Sequence, residues 1–143
     1  MYNPKNDGVD HINVYSKSNT ELGRFLSNFH HSPVNTGDGE FQSLEGYWYW
    51  LKTYDDNLKS MVGFEAKQYG REQPIVNYTI DKNKFKKALN IKIKNNLEWL
   101  RKNSLWNDLT IPLVHYYVYD GKVKDAGSIW VIELLEQIRF NTL

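Results

Sequence analysis

The sequence predicts an α+β fold, mainly helical, with a small antiparallel β-sheet. Three observations carry this. Apolar residues recur at helical spacing over residues 44–51, 58–62, 85–100 and 131–138. Asp38-Gly39 and Asp120-Gly121 each stand between β-prone runs, the signal of a tight hairpin. A third β-prone run, HINVY at residues 11–15, alternates apolar and polar and reads as a short strand. With 143 residues, 41% hydrophobic and 15% aromatic, the chain has the size of one ordinary domain and enough apolar surface for a core. The expected organisation is therefore a single domain over residues 1–143, with a loose polar tail over residues 1–10 around Pro4 and Gly8.

Taken in order, SKSNTELG is a polar, turn-rich connection, and RFLSNFHHSPV fits neither period 2 nor period 3.6, so irregular backbone is expected there. Ser27 and Asn28 in that stretch read first as local turn-formers, with ligand binding the alternative. NTGDGEF has the Asp-Gly signal of a tight hairpin, so Val34 and Phe41 are expected on paired strands. A helix then opens at Ser43, whose hydroxyl can cap free backbone N–H groups, and Leu44, Tyr47, Trp48 and Leu51 form its core stripe. A short helix is expected over Asp55 to Ala66, with Gly70 as a stop. Asp81 caps a long helix running to about Asn103, with Phe85, Leu89, Ile93, Leu97 and Leu100 inward. The run TIPLVHYYVYDGKVK supplies a strand, an Asp-Gly turn and a second strand. Residues 11–15, 33–42 and 111–124 make up the expected sheet. A last helix over Gly127 to Phe140 is expected to point Val131, Leu134, Leu135 and Ile138 inward and Glu133, Glu136 and Arg139 outward.

Composition narrows the chemistry. Without cysteine there is no disulfide, thiolate nucleophile or Cys-bearing zinc site, and the four His show no metal-ligand spacing, so neither metal nor cofactor is expected. No window approaches the roughly 18 apolar residues of a membrane span, and the reading is a soluble cytoplasmic protein without a membrane partner. A net charge of +1 argues against a generic nucleic-acid binder. The lysines at 82, 84, 86, 87, 92 and 94 are distributed around their helix, which favours solvation over a polyanion track.

The chemistry-bearing pattern lies within residues 24–52. Glu45, Tyr49 and Lys52 recur at i, i+4 and i+7, so a carboxylate, a phenol and an ammonium share one helix edge beside the core stripe. The plain alternative is a first-turn Glu that complements the helix dipole. Near the helix start the ionised form of Glu45 is expected, suited to activating water or stabilising positive charge. Arg71 after Gly70 has a fork that suits phosphate, or is simply a surface arginine.

Phe25, Leu26, Ser27, Asn28, Phe29, Ser32 and Pro33, the Asp38-Gly39 turn, and then Ser43, Glu45 and Lys52 together resemble the NADAR, or YbiA-like, family. The pattern there runs F-L-S-N-F, S-P, D-G and S-x-E-H-x-(Y/F)-Q-x-x-K. Fainter likeness extends to Ala66, Gly70 and Arg71, to Lys92, to Asp120 and to Arg139. The sequence departs from the pattern at Gly46, Trp48 and Tyr49 and after Asp120, where W-G is missing. The resemblance implies an N-glycosidase that hydrolyses the N-glycosidic bond of an ADP-ribosyl or ribosyl-phosphate adduct, free or on ADP-ribosylated nucleic acid. It implies Glu45 and Asp120 as catalytic carboxylates, Arg71 and Lys52 on phosphate, and Phe25, Phe29 or Trp48 stacking a base. Arg24, Asn28, Tyr49 and Gly70 complete the expected substrate-binding set. The departures leave open a non-catalytic module that binds ADP-ribose or a nucleotide.

Overall fold

A computed structural model describes residues 2–127 and 129–143. Backbone proximity divides the chain into two units, one of residues 1–27 and 96–143, the other of residues 28–95.

In the first unit, strand β1 (Ile12–Asn13) pairs in parallel with β4 (Leu113–Val114), and β5 (Tyr116–Tyr119) pairs with β6 (Lys122–Asp125) as an antiparallel hairpin. Helices α1 (Glu21–Leu26), α5 (Leu97–Arg101), α6 (Ser104–Asn107) and α7 (Ile129–Asn141) accompany them. The second unit holds the hairpin β2 (Val34–Thr36) and β3 (Gly39–Phe41), then α2 (Leu44–Thr53), a 3-10 turn at Asp56–Ser60, α3 (Gly63–Glu72) and α4 (Lys82–Asn95). The fold class is α+β and mainly helical, as expected. The strands, however, form three separate two-stranded ladders, and β1 runs parallel to its partner.

Several elements depart from the sequence reading for identifiable reasons. Residues 21–26 are helical because the Thr20 hydroxyl caps Gly23 N–H at 2.9 Å, in a helix too short to show a period. Described residues of the N-terminal segment are anchored: the buried Asp7 carboxylate accepts from Asn13 N–H, Ser18 Oγ and Asn19 N–H at 2.7–2.9 Å. Next to it His11, fully buried, bonds the Tyr116 hydroxyl at 2.6 Å. The expected long helix breaks at Asn96, where two successive asparagines, poor helix formers, follow Lys94. The helix expected over 55–66 is instead a 3-10 turn followed by α3, which continues through Gly70.

The α2 stripe behaves as its spacing requires. Leu44, Tyr47 and Leu51 are buried, while Trp48 is half-buried and sets its ring edge-on to Phe85 of α4 at 5.4 Å. In the first unit, Arg139 of α7 turns inward instead of outward: it has no solvent exposure because its guanidinium donates to the carbonyls of Leu105, Trp106, Asp108 and Ile111 at 2.5–2.8 Å and to Glu136 at 3.0 Å. It fastens α7 to α6 and to the chain entering β4. Replacing Arg139 with Met leaves those carbonyls unbonded and is expected to cost on the order of 3–5 kcal/mol. Lys at this position cannot fork to several carbonyls and is expected to restore little of the loss. Thermal unfolding checks both, and a melting point within about a degree of wild type for Arg139→Met would contradict the assignment.

Candidate functional site

The start of α2 is fixed by the irregular stretch before it. The Asn28 carbonyl accepts from Glu45 N–H at 2.9 Å, and the next carbonyl, of Phe29, accepts from Gly63 N–H at 3.1 Å. Residues 28–29 thereby clasp the first turns of α2 and α3 together. Ser43 Oγ accepts from Gly46 N–H at 3.1 Å and donates to the Met61 carbonyl at 2.9 Å, tying the same two ends from the other side.

Close packing explains two of the sequence's small residues. A Cβ on Gly46 would stand 2.6 Å from the Leu58 carbonyl oxygen and 3.2 Å from that of Met61. Any side chain is excluded there, which accounts for the absence of the motif's His. A Cβ on Gly70 would stand 2.3 Å from Tyr49 Cγ, so Gly70 seats the Tyr49 ring instead of ending α3.

These constraints leave Glu45 half-buried in the first turn of α2. Its side chain keeps partial solvent access but is surrounded largely by protein, and its carboxyl makes no hydrogen bond or ion pair among the described residues. Burial raises its pKa to about 7, against the opposing pull of Lys67 and then Lys52. This corrects the expected fully ionised state. The N–H groups that would have stabilised the carboxylate are already occupied, Glu45 N–H by Asn28 and Gly46 N–H by Ser43. Desolvation then outweighs the dipole. Near neutral pH the group is divided between acid and base forms, the poise of a proton-transfer residue.

Around it stand other expected residues of the second unit. Lys52 Nζ lies over the Trp48 and Tyr49 rings, 5.2 Å from each centroid. Burial and then the Glu45 charge raise the Tyr49 phenol, while Arg71 opposes them. Arg71 itself is exposed, on the last turn of α3. Sequence reasoning missed Lys67, although its place one turn before Arg71 puts both on related faces of α3. It also left Lys92 unassigned: the residue is 1% exposed on the inner face of α4, where desolvation pulls its ammonium down to about 7.

Three expected site residues belong to the first unit and have structural occupations there. Arg24 is exposed and donates to the Ser18 carbonyl at 2.7 Å. Phe25 is buried and packs edge-on to Trp99 at 5.1 Å. Asp120 is exposed at the tip of the β5–β6 hairpin with φ of 50°, followed by Gly121 at 72°, the paired positive values of a type I′ turn.

The Glu45 assignment has a consequence for stability. Its pKa is raised from 4.5 unfolded to about 7 folded, so the folded state binds the proton more tightly. Stability therefore declines as pH rises from 4.5 to 7, and about 3 kcal/mol is withheld above that range. Glu45→Gln is expected to raise stability by roughly 1–3 kcal/mol at pH 8 and to change it little at pH 4. Denaturant unfolding at the two pH values checks this, and an equal effect at both would contradict it.

No family model matches the sequence, and no curated protein matches it. Among solved structures the chain is similar to the Escherichia coli protein YbiA, determined by NMR, with a TM-score of 0.64 and 20% sequence identity over 98% of this chain and 92% of that one. No helix among the described residues is long and apolar enough to cross a membrane. The chain has a YbiA-like α+β fold.

Proposed function

We propose that the surroundings of Glu45 form the active site of an N-glycosidase of the NADAR type, acting on an ADP-ribosyl or ribosyl-phosphate adduct. The observation that carries this reading is the half-buried Glu45 carboxyl, which makes no hydrogen bond or ion pair among the described residues and whose pKa near 7 is pulled on by the Lys67 and Lys52 ammonium groups. In hydrolysis the ionised fraction of Glu45 takes a proton from water as the water oxygen bonds to the anomeric carbon. The carbon–nitrogen bond breaks with its electrons going to the leaving base, which regains a proton from the carboxyl. A group with a pKa near the working pH can do both transfers. Lys52, Lys67 and Arg71 supply charge for phosphate, and Trp48 and Tyr49 supply ring faces on the same helix.

A second reading, a module that binds ADP-ribose without turnover, draws on the packing at Gly46. That packing excludes the motif's His and leaves Tyr49 in place of its Gln.

The test measures release of free ADP-ribose from ADP-ribosylated guanine in DNA, and of ribose phosphate from a ribosyl-phosphate amine. In one of these assays wild type is expected to turn over and Glu45→Gln to lose about 10²–10⁴ in kcat. Because the base form is required, kcat/KM is expected to rise with pH up to about 7 and then level. Retained ADP-ribose binding by both proteins without turnover by either would establish the second reading. Asp120→Asn is expected to keep kcat within about twofold, since Asn also suits a type I′ turn. A loss of about a hundredfold would instead make Asp120 a second catalytic carboxylate.

A further inference from the structure

Tyr47, Tyr49 and Tyr69 are the phenols of the second unit that are wholly or partly withdrawn from solvent. The first and the last are hydrogen-bonded within the fold. The Tyr47 hydroxyl donates to Asp38 at 2.7 Å, and that of Tyr69 donates to Asp55 at 2.7 Å and accepts from Asn57 at 2.9 Å. The Tyr49 hydroxyl makes no hydrogen bond among the described residues; the residue's one bond there is accepted by its backbone carbonyl, from Thr53. Phenylalanine would fill the same seat, so packing explains the Tyr49 ring and leaves its oxygen unexplained.

The seat itself is tightly defined. A Cβ on Gly70 would stand 2.3 Å from Tyr49 Cγ and 2.6 Å from its Cβ and Cδ1, so the ring lies directly on the α3 backbone. Gly70 is inside α3 and is not among the positive-φ glycines, so space, not backbone freedom, calls for glycine there. Lys52 Nζ lies over the same ring, 5.2 Å from its centroid. Glu45 is one turn earlier on this edge of α2, which sets the two Cβ atoms about 5–6 Å apart. Burial and then the Glu45 charge hold the phenol above its ordinary range, against the pull of Arg71, so it keeps its proton throughout the range in which Glu45 titrates.

N-glycoside hydrolysis at Glu45 has a place for such a group. In a direct displacement the attacking water and the departing base stand on opposite faces of the anomeric carbon. While the carbon–nitrogen bond breaks, Glu45 is engaged with the water, and its proton reaches the base only afterwards. The electrons arriving on the base meanwhile call for a donor already fixed in place, since preorganised donors aimed at developing charge lower the barrier most. Lys52, Lys67 and Arg71 carry charge suited to phosphate. Tyr49 is a neutral donor, seated on backbone, one turn from the carboxyl.

We infer that the Tyr49 hydroxyl is a further catalytic group of the Glu45 site, donating a hydrogen bond to the leaving base as its bond to ribose breaks, and that Gly70 is the positioning residue that seats its ring. The inference rests on the glycosidase reading. The phenol keeps its own proton: the base accepts its hydrogen bond and then takes a proton from the Glu45 carboxyl.

Steady-state kinetics of the full chain in the two release assays above test it, with circular dichroism confirming that each variant is folded. Tyr49→Phe is expected to lower kcat about 10²-fold with KM within about twofold, the mark of an interaction made only in the transition state. The Glu45 carboxyl midpoint, read by NMR, is expected to stay where it is in that variant, which separates the loss from any effect through Glu45. Gly70→Ala is expected to lower kcat by a similar factor, and the double variant to be no slower than Tyr49→Phe alone, because both changes remove one contact. If Gly70→Ala does not fold, Tyr49→Phe decides alone. A Tyr49→Phe kcat within about twofold of wild type would overturn the inference. So would a rise in KM alone, which would place the hydroxyl on a part of the substrate held equally in both states, such as a phosphate. Losses that multiply in the double variant would remove Gly70 from the inference. Turnover that Glu45→Gln abolishes and Tyr49→Phe keeps strikes this inference alone, whereas absence of turnover by wild type removes the glycosidase reading and this inference with it.

Discussion

Two successive backbone carbonyls, those of Asn28 and Phe29, accept from the first turns of α2 and α3, and the geometry around Glu45 depends on that clasp. It brings together two helix starts that the Ser43 hydroxyl also joins. It also occupies the N–H group that would otherwise have favoured the Glu45 carboxylate. A helix N-terminus normally lowers the pKa of a nearby acid; here the positive end is satisfied internally, and the acid meets mainly the cost of its own burial.

That cost is held in place by packing. Gly46 and Gly70 leave no room for a side chain: Gly46 brings α2 against backbone carbonyls of the 3-10 turn at Asp56–Ser60 and of Met61, and Gly70 of α3 lies against the Tyr49 ring. Tyr47, Leu51, Leu58 and Ala66, all buried, supply apolar burial in the same region. Glu45 is thus a carboxyl that reduces stability at neutral pH among closely packed neighbours. Lys52 and Lys67 moderate the penalty without removing it, because neither comes close enough to form an ion pair.

Much of this was legible in the sequence where a local rule acts alone. The Asp-Gly signal marks the hairpin that puts Val34 and Phe41 on paired strands, although its turn is Gly37-Asp38 and Gly39 already belongs to β3, and the Ser43 cap and 3.6-residue stripe define α2. The rest depends on contacts between residues distant in the chain. Helix α1 is too short to display a period and holds through its Thr20 cap, and the N-terminal segment is ordered by the three donors that Asp7 collects. Gly70 reads as a helix stop until the Tyr49 ring is seen against it. For the candidate site, helix spacing placed Glu45, Tyr49 and Lys52 on one edge. Lys67 and the protonation of Glu45 follow only from how α3 docks and which N–H groups are already bonded. Nor did the sequence show the contacts of Arg24, Phe25 and Asp120: a loop carbonyl, the Trp99 ring and a type I′ turn.

The central claim is that Glu45 is half-protonated at neutral pH because desolvation by the surrounding protein raises its pKa while its carboxyl makes no hydrogen bond or ion pair among the described residues. An NMR titration of the glutamate side-chain carboxyl carbons in wild type, with the Glu45 resonance assigned by its loss in Glu45→Gln, measures this without any substrate. The account requires a midpoint near 7. A midpoint at or below the ordinary 4.5 would show a solvated or dipole-stabilised carboxylate, and would contradict it.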